Sequence, residues 1–172
     1  MNCLKNKAKA DFDKIELFVF DFDGVMTDNY FYLDQNGNES VKLSRSDGLA
    51  INSLHKLKKK MLILSSEKNK VVLMRAKKLS IKSIYGIDNK KKVLEKYCKK
   101  ENILSNNVLY VGNDINDYFA MKFCGLSACP LNSHKKIKDI ATFNLRSVGG
   151  HGVIRELVEK LFKIDLIKIF KE

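Results

Sequence analysis

Residues 15–28 have the sequence IELFVFDFDGVMTD. The first six of them are mostly apolar and rich in β-branched and aromatic side chains, which is typical of a strand that is covered on both faces. Asp21 and Asp23 follow this run directly, and Gly24 allows the chain to turn there. The stretch therefore predicts a buried parallel strand that ends in two carboxylates.

The rest of the chain alternates between short apolar runs and helical patterns. Residues 61–64 (MLIL) and 108–111 (VLYV) resemble the first strand, and helical spacing of apolar residues extends over 48–60, 69–79, 90–100 and 153–170. Strands separated by helices of this length predict right-handed crossovers and a parallel sheet. We expect an α/β fold, a Rossmann-like three-layer sandwich, that forms a single domain over residues 1–172.

A hairpin interrupts this alternation after the first strand. Residues 30–43 (YFYLDQNGNESVKL) have strand-like ends around Asn36-Gly37, a strong signal for a tight turn. We predict a β-hairpin flap at about residues 29–43.

A second acidic cluster follows the run at 108–111, where residues 112–117 have the sequence GNDIND. Carboxyl ends of parallel strands meet at one edge of the sheet, which is where ligands bind in such folds. Between the two acidic clusters, Ser65 follows another strand and Lys90 begins a helix. A hard cation such as Mg²⁺ would offset the repulsion among these carboxylates, so we predict a site for magnesium and phosphate.

This ordered set resembles the four motifs of the haloacid dehalogenase superfamily, over about residues 15–161. The resemblance implies the fold of that superfamily. The intervals from Asp21 to Ser65 and from Ser65 to Lys90 are too short for a separate lid of about 50 residues or more, so we expect no cap domain.

Finer features resemble one branch of the superfamily. Asp28, the Ser46-Asp47-Gly48 segment and residues 149–156 (GGHGVIRE) look like the 3-deoxy-D-manno-octulosonate (KDO) 8-phosphate phosphatases and the related acylneuraminate domains. The resemblance implies a phosphoric monoester hydrolase that acts on a 3-deoxy-2-ulosonic acid phosphate, either KDO 8-phosphate or a nonulosonate 9-phosphate, in surface polysaccharide synthesis. It also implies a homotetramer in which neighbouring subunits complete the sites.

The resemblance also assigns roles. Asp21 would be the nucleophile that forms an aspartyl-phosphate, and Asp23 the general acid and then the general base. Ser65 and Lys90 would bind the phosphoryl group, helped by Mg²⁺. The expected metal ligands are Asp21, Asp23 and either Asn113 or Asp114. Asp117 would not bind the metal itself but would orient the residues of the site.

Two positions depart from the family pattern. Asn113 stands where the family usually has a ligating Asp, which removes one charge from the metal site. Glu67 stands where octulosonate phosphatases generally carry Arg, and the Glu67-Lys68 pair looks more like the nonulosonate members. The expected substrate contacts are Asp47, Gly48, Ser66, Glu67, Arg75 and His151.

The composition of the chain bears on its other possible partners and on its location. The net charge of +12 comes mainly from lysines in short clusters, which favours solvated helix faces over a nucleic-acid site, and we expect no nucleic acid and no membrane partner. Four cysteines and a polar, lysine-bearing start at residues 1–14 predict a reducing cytoplasm. The second hypothesis, favoured by Asn113, is a catalytically weak module that assists an acylneuraminate cytidylyltransferase.

Overall fold

The computed structural model describes residues 11–171; Cys3 and most of the polar start lie outside this range. The strands are β1 (Leu17–Phe20), β2 (Thr27–Leu33), β3 (Glu39–Leu43), β4 (Lys60–Leu64), β5 (Lys82–Ile84), β6 (Val108–Val111), β7 (Leu126–Cys129) and β8 (Phe143–Asn144). The α-helices are α1 (Arg45–Lys56), α2 (Val71–Leu79), α3 (Lys90–Glu101), α4 (Tyr118–Phe123), α5 (Lys135–Ile140), α6 (Val153–Glu156) and α7 (Leu166–Lys171).

Six strands form one sheet in the order β5-β4-β1-β6-β7-β8, and every neighbouring pair is parallel. Phe20 at the end of β1 aligns with Ile63 of β4 on one side and with Val111 of β6 on the other. The three central strands therefore end at the same level, and the residues after them share one edge. The predicted α/β fold with a central parallel sheet is confirmed.

Alternate side chains of β1 enter two separate cores. Phe18 and Phe20 pack in the core that α1, α2 and α6 cover, whereas Leu17 and Val19 pack in the core beneath α3, α4 and α5. All four are fully buried. Burial on both faces explains why β1 is an uninterrupted apolar run, as a parallel strand between two helical layers requires.

The predicted hairpin is present as the antiparallel pair β2 and β3. Asp34 Oδ1 accepts hydrogen bonds from the backbone amides of Asn36 and Asn38, both at 2.8 Å, and these bonds close the turn. A bulge separates Thr27 from Phe31, with Asn29 in the left-handed region at φ 71°. The hairpin forms a two-stranded sheet of its own, and no cap domain accompanies it in the described residues.

The helices differ from several of the predicted ranges. α1 ends at Lys56 rather than at residue 60, which belongs to β4, and α2 begins at Val71 rather than at residue 69. The helix predicted at 48–60 begins earlier, because Ser44 Oγ accepts the Asp47 amide and starts α1 there. The single helix predicted at 153–170 is wrong: α6 continues as a π-helical turn over Leu157–Leu161, Lys163 then adopts φ 57°, and α7 follows. A left-handed residue ends a right-handed helix, so the chain turns before α7.

No helix within residues 11–171 has the length and apolar character needed to cross a bilayer.

Candidate active site

The carboxyl ends of β1, β4 and β6 form the floor of a cleft of about 630 Å³, and the hairpin forms one wall. The cleft contains most of the predicted catalytic and metal-binding positions together with hairpin residues. Its lining includes Asp21, Asp23, Ser65, Ser66, Glu67, Asn113, Asp114, Asn29, Tyr30, Phe31, Glu39 and Asn69. Strand register thus brings together residues that lie far apart in the sequence.

Lys90 lies beneath the cleft and contacts two carboxylates. Its ammonium is 2.7 Å from Asp21 Oδ1 and 2.7 Å from Asp117 Oδ1, and all three side chains are buried. Asp117 also accepts the Tyr110 hydroxyl at 2.8 Å and the Asn113 amide at 2.8 Å. Lys90 and Asp117 therefore hold Asp21 and the loop after β6 in fixed positions.

Burial dominates the electrostatics of this cluster. It raises the pKa of Asp21 well above its ordinary value, and the nearby charge of Asp117 raises it further, against the opposing effect of Lys90. Burial alone would lower the pKa of Lys90, but Asp21 and Asp117 together outweigh it and raise that pKa. Because two carboxylates share one ammonium, an additional positive charge at this site would be stabilised.

Asp23 lies at the mouth of the site and is half-buried. Its Oδ1 is 3.4 Å from the Thr27 hydroxyl, which donates to it. Burial raises the pKa of Asp23, and the neighbouring charges of Glu67 and Glu39 raise it further. A carboxyl group with a raised pKa keeps its proton more readily, which suits a general acid.

The side chain of Asn113 points at two oxygens of the first acidic cluster. The amide group lies 3.2 Å from Asp21 Oδ2 and 2.8 Å from the Asp23 carbonyl when its nitrogen is turned towards them as donor. With its oxygen turned there instead, three oxygens face one another, which is the donor set that Mg²⁺ prefers. Asp114 differs, because it is exposed and its Oδ1 accepts the Ile115 amide at 2.7 Å.

The other carboxylates of the cleft do not converge on a single point. Within residues 11–171 no three His, Cys, Asp or Glu side chains cluster as metal ligands. A cation at Asn113 would therefore be held by a mixed set of carboxylate, carboxamide and backbone oxygens.

A hydrogen bond joins the hairpin to the loop after β4. Asn69 Nδ2 donates to Glu39 Oε2 at 2.7 Å, and Glu67 Oε1 accepts the amides of Lys68 at 2.7 Å and Asn69 at 3.2 Å. Ser65, which is buried, accepts the Glu67 amide at 3.1 Å. The predicted residues Ser65, Ser66 and Glu67 thus lie on a loop that contacts the hairpin wall.

Four predicted substrate contacts lie outside this cleft. Asp47 is buried and its Oδ1 accepts the Arg155 amide at 2.9 Å, and the backbone of Gly48 lies beside Arg75. Arg75 donates to the Ser44 carbonyl at 2.9 Å. His151 is exposed and lines a second cavity of about 890 Å³ beside α6. These four residues do not join the cluster around Asp21, and their contact with substrate stays a prediction.

Several residues of the cleft were not predicted. Asn29, Tyr30, Phe31 and Glu39 reach it because the bulged hairpin folds back beside the end of β1. The available signal was the position of the hairpin directly after the acidic strand. Tyr110 was also missed, although a Tyr in a fully buried strand needs a partner for its hydroxyl.

A family model of haloacid dehalogenase-like hydrolases matches residues 31–157. The chain belongs to this family. The match contains Ser65, Lys90 and Asn113, while Asp21 precedes it. Membership in the haloacid dehalogenase-like hydrolases confirms the predicted family and fold.

Named relatives agree with this assignment. The chain is similar to the 3-deoxy-D-manno-octulosonate 8-phosphate phosphatase KdsC of Escherichia coli K12, at 32% identity over 90% of this chain and 81% of the relative. A structure from Streptomyces avermitilis assigned to the HAD hydrolases matches with a TM-score of 0.87 and 37% identity, covering 92% of this chain and 94% of that one. These comparisons confirm the enzyme class, a phosphoric monoester hydrolase.

One further relative was solved with ligands. The 3-deoxy-D-manno-octulosonate 8-phosphate phosphatase of Moraxella catarrhalis, in complex with magnesium ion, phosphate ion and KDO, matches with a TM-score of 0.85 and 27% identity. The match covers 88% of each chain.

Proposed function

We propose that this chain is a magnesium-dependent phosphatase that hydrolyses the phosphate monoester of a 3-deoxy-2-ulosonic acid. The observation that carries the proposal is the contact between Lys90 and Asp21 at 2.7 Å, at the bottom of a cleft that also contains Asp23 and Ser65. The relatives named above support the substrate class, because the one from Escherichia coli is a 3-deoxy-D-manno-octulosonate 8-phosphate phosphatase.

Asp21 would attack the phosphorus atom, forming an aspartyl-phosphate as the bond from phosphorus to the sugar oxygen breaks. Asp23 would give its proton to that leaving oxygen, and its raised pKa supports this role. Asp23 would then remove a proton from the water that attacks the aspartyl-phosphate, which releases phosphate and restores Asp21. Lys90 and Ser65 would hold the phosphoryl oxygens.

The residues present fit a magnesium ion. Asp21, the Asp23 carbonyl and the Asn113 carboxamide oxygen would hold it, and we favour Asn113 over Asp114 because only the former faces Asp21. When bound, Mg²⁺ would neutralise charge on the phosphoryl oxygens. The surplus of buried carboxylate over ammonium supports a cation at this place.

The outer cleft favours hydroxyl or amine groups on the substrate. Glu39 and Glu67 both line it, and carboxylates accept hydrogen bonds from such groups. This composition supports a nonulosonate 9-phosphate at least as well as KDO 8-phosphate.

We also propose a homotetramer whose neighbouring subunits complete each site. Tyr30, Tyr32 and Leu33 on the hairpin are 78%, 70% and 62% exposed, and such a group of large apolar side chains is typical of a protein interface. Contact of a neighbour with the cleft would follow, because the hairpin forms its wall. The cytoplasmic location stays a prediction from the thiol content.

The second candidate function is a catalytically weak module that assembles with an acylneuraminate cytidylyltransferase. Asn113 favours it, since a neutral amide binds Mg²⁺ with less charge than an Asp would.

The test is phosphate release from KDO 8-phosphate and from nonulosonate 9-phosphates, with and without Mg²⁺, by the wild type and Asp21→Asn. We expect release that requires Mg²⁺ and disappears in Asp21→Asn. Preference for one sugar acid identifies the substrate. No release from any of them, nor from an aryl phosphate, would reject the phosphatase and favour the assembly module.

A further inference from the structure

A glycine-containing loop packs against the turn that follows the nucleophile. We call residues 148–152 the glycine loop. A methyl group on Gly149 would lie 2.7 Å from the carbonyl carbon of Gly24 and 3.0 Å from the carbonyl oxygen of Thr27. The Gly150 amide donates to the Val25 carbonyl at 3.0 Å. Because these neighbours are backbone atoms, they cannot rotate away, and only glycine allows this approach.

Gly24 makes a second close contact, with the candidate metal ligand Asn113. It adopts φ 77°, and a methyl group on it would lie 2.6 Å from Asn113 Cγ. The Asn113 side chain can therefore lie against the Gly24 backbone and reach Asp21 and the Asp23 carbonyl. Gly24 thus contacts Asn113 on one side and Gly149 on the other, although the three residues come from distant parts of the chain.

Bonds outside the cleft fix the glycine loop. Asn132 Oδ1 accepts the Gly149 amide at 2.9 Å, and His151 Nδ1 lies 2.8 Å from the Gly149 carbonyl. On the other side, Asp47 Oδ1 accepts the Arg155 amide and holds the start of α6. The loop is therefore positioned by the protein itself, without help from a substrate.

We infer that Gly149 is a positioning residue for the metal site. By supporting the Gly24 carbonyl, it sets the course of the chain after Asp23 and therefore the distance from the Asp23 carbonyl to Asn113. The inference rests on the proposed magnesium site. It gives the glycine loop a role within its own subunit, separate from the predicted contact of His151 with substrate.

The experiment measures Mg²⁺ binding to the substrate-free protein by isothermal titration calorimetry. Gly149→Ala is the test variant, and Gly125→Ala is its matched control. A methyl group on Gly125 would lie 2.7 Å from the carbonyl carbon of Asn106, a comparable clash with backbone before β7, at the end of the sheet away from the cleft. We expect both variants to lose thermal stability, and circular dichroism measures that loss.

We expect Gly149→Ala to bind Mg²⁺ about tenfold more weakly, as changes behind metal ligands typically do. Gly125→Ala should keep the affinity of the wild type. Equal affinities in Gly149→Ala and the wild type would overturn the inference, as would an equal loss in both variants.

A milder variant covers the case in which Gly149→Ala does not fold. Asn132→Ala removes the acceptor of the Gly149 amide without adding an atom, and we expect weaker Mg²⁺ binding with an intact circular dichroism spectrum. Wild-type affinity in Asn132→Ala would then contradict the inference. Failure of the wild type to bind Mg²⁺ would instead reject the proposed function.

Discussion

Lys90 and Asp21 form a buried ion pair with a separation of 2.7 Å between Nζ and Oδ1. The pair joins the first residue of α3 to the first residue after β1, and a second contact of 2.7 Å extends it to Asp117 after β6. A single lysine thus links two strand ends and places the carboxylate that we propose as nucleophile. The arrangement explains why a helix otherwise rich in exposed lysines begins with one that is buried.

Lys90→Met tests how much the folded protein depends on this ammonium. The substitution leaves Asp21 and Asp117 buried without a cation, so we expect the free energy of unfolding to fall by about 3–5 kcal/mol. Urea unfolding at neutral pH measures it.

A second substitution supplies the control for that experiment. Asp117→Asn in the Lys90→Met background removes the negative charge of Asp117 beside Asp21, so part of the lost stability should return. If the double variant is no more stable than Lys90→Met, repulsion between the carboxylates is not the cause of the loss.

Much of this arrangement could be predicted from sequence, because it depends on short sequence patterns whose structure is determined by neighbouring residues. Apolar runs identified β1, β4 and β6, and acidic residues directly after two of them identified the sheet edge that forms the cleft. Asn36-Gly37 located the hairpin turn. These signals lie within a few residues of the features they predict.

Other features depend on contacts between distant residues. Asp47 accepts a hydrogen bond from the Arg155 amide and Arg75 donates one to the Ser44 carbonyl, while their contact with substrate stays a prediction. The break at Lys163 interrupts an apolar periodicity that continues through it. Neither these hydrogen-bond partners nor the break at Lys163 has a signal in the neighbouring sequence.

Asp47 predicts a pH dependence of stability. Burial raises its pKa from 3.8 to about 6, so between these values the folded protein binds more protons than the unfolded chain. The free energy of unfolding should therefore fall as the pH rises through that window, by at most about 3 kcal/mol from this group.

Asp47→Asn isolates this effect, since it keeps an oxygen to accept the Arg155 amide. Unfolding free energies are compared at intervals from pH 4 to pH 8. We expect the variant to match the wild type near pH 4 and to exceed its stability above pH 6. A difference that does not change with pH would show that folding does not raise the pKa of Asp47.

Tyr32 tests the proposed assembly. It is exposed on the hairpin and lies outside the cleft lining. If the hairpins pack together, Tyr32→Glu places a charge in that interface, and a central aromatic residue there is worth about 2 kcal/mol or more. Light scattering after gel filtration should show a tetramer for the wild type and smaller species for Tyr32→Glu.

Tyr32→Phe is the matched control, because it keeps the ring. It should retain the assembly of the wild type. A monomeric wild type, or a Tyr32→Glu tetramer, would contradict the proposed role of the hairpin.

The most direct measurement identifies the residue that carries the phosphoryl group during turnover. The protein is mixed with Mg²⁺ and the preferred sugar acid phosphate, stopped in acid within milliseconds, digested and analysed by mass spectrometry. We predict one phosphoryl group on Asp21, absent when Mg²⁺ is omitted. Continued turnover by Asp21→Asn, or a phosphoryl group found on another residue, would contradict Asp21 as the nucleophile.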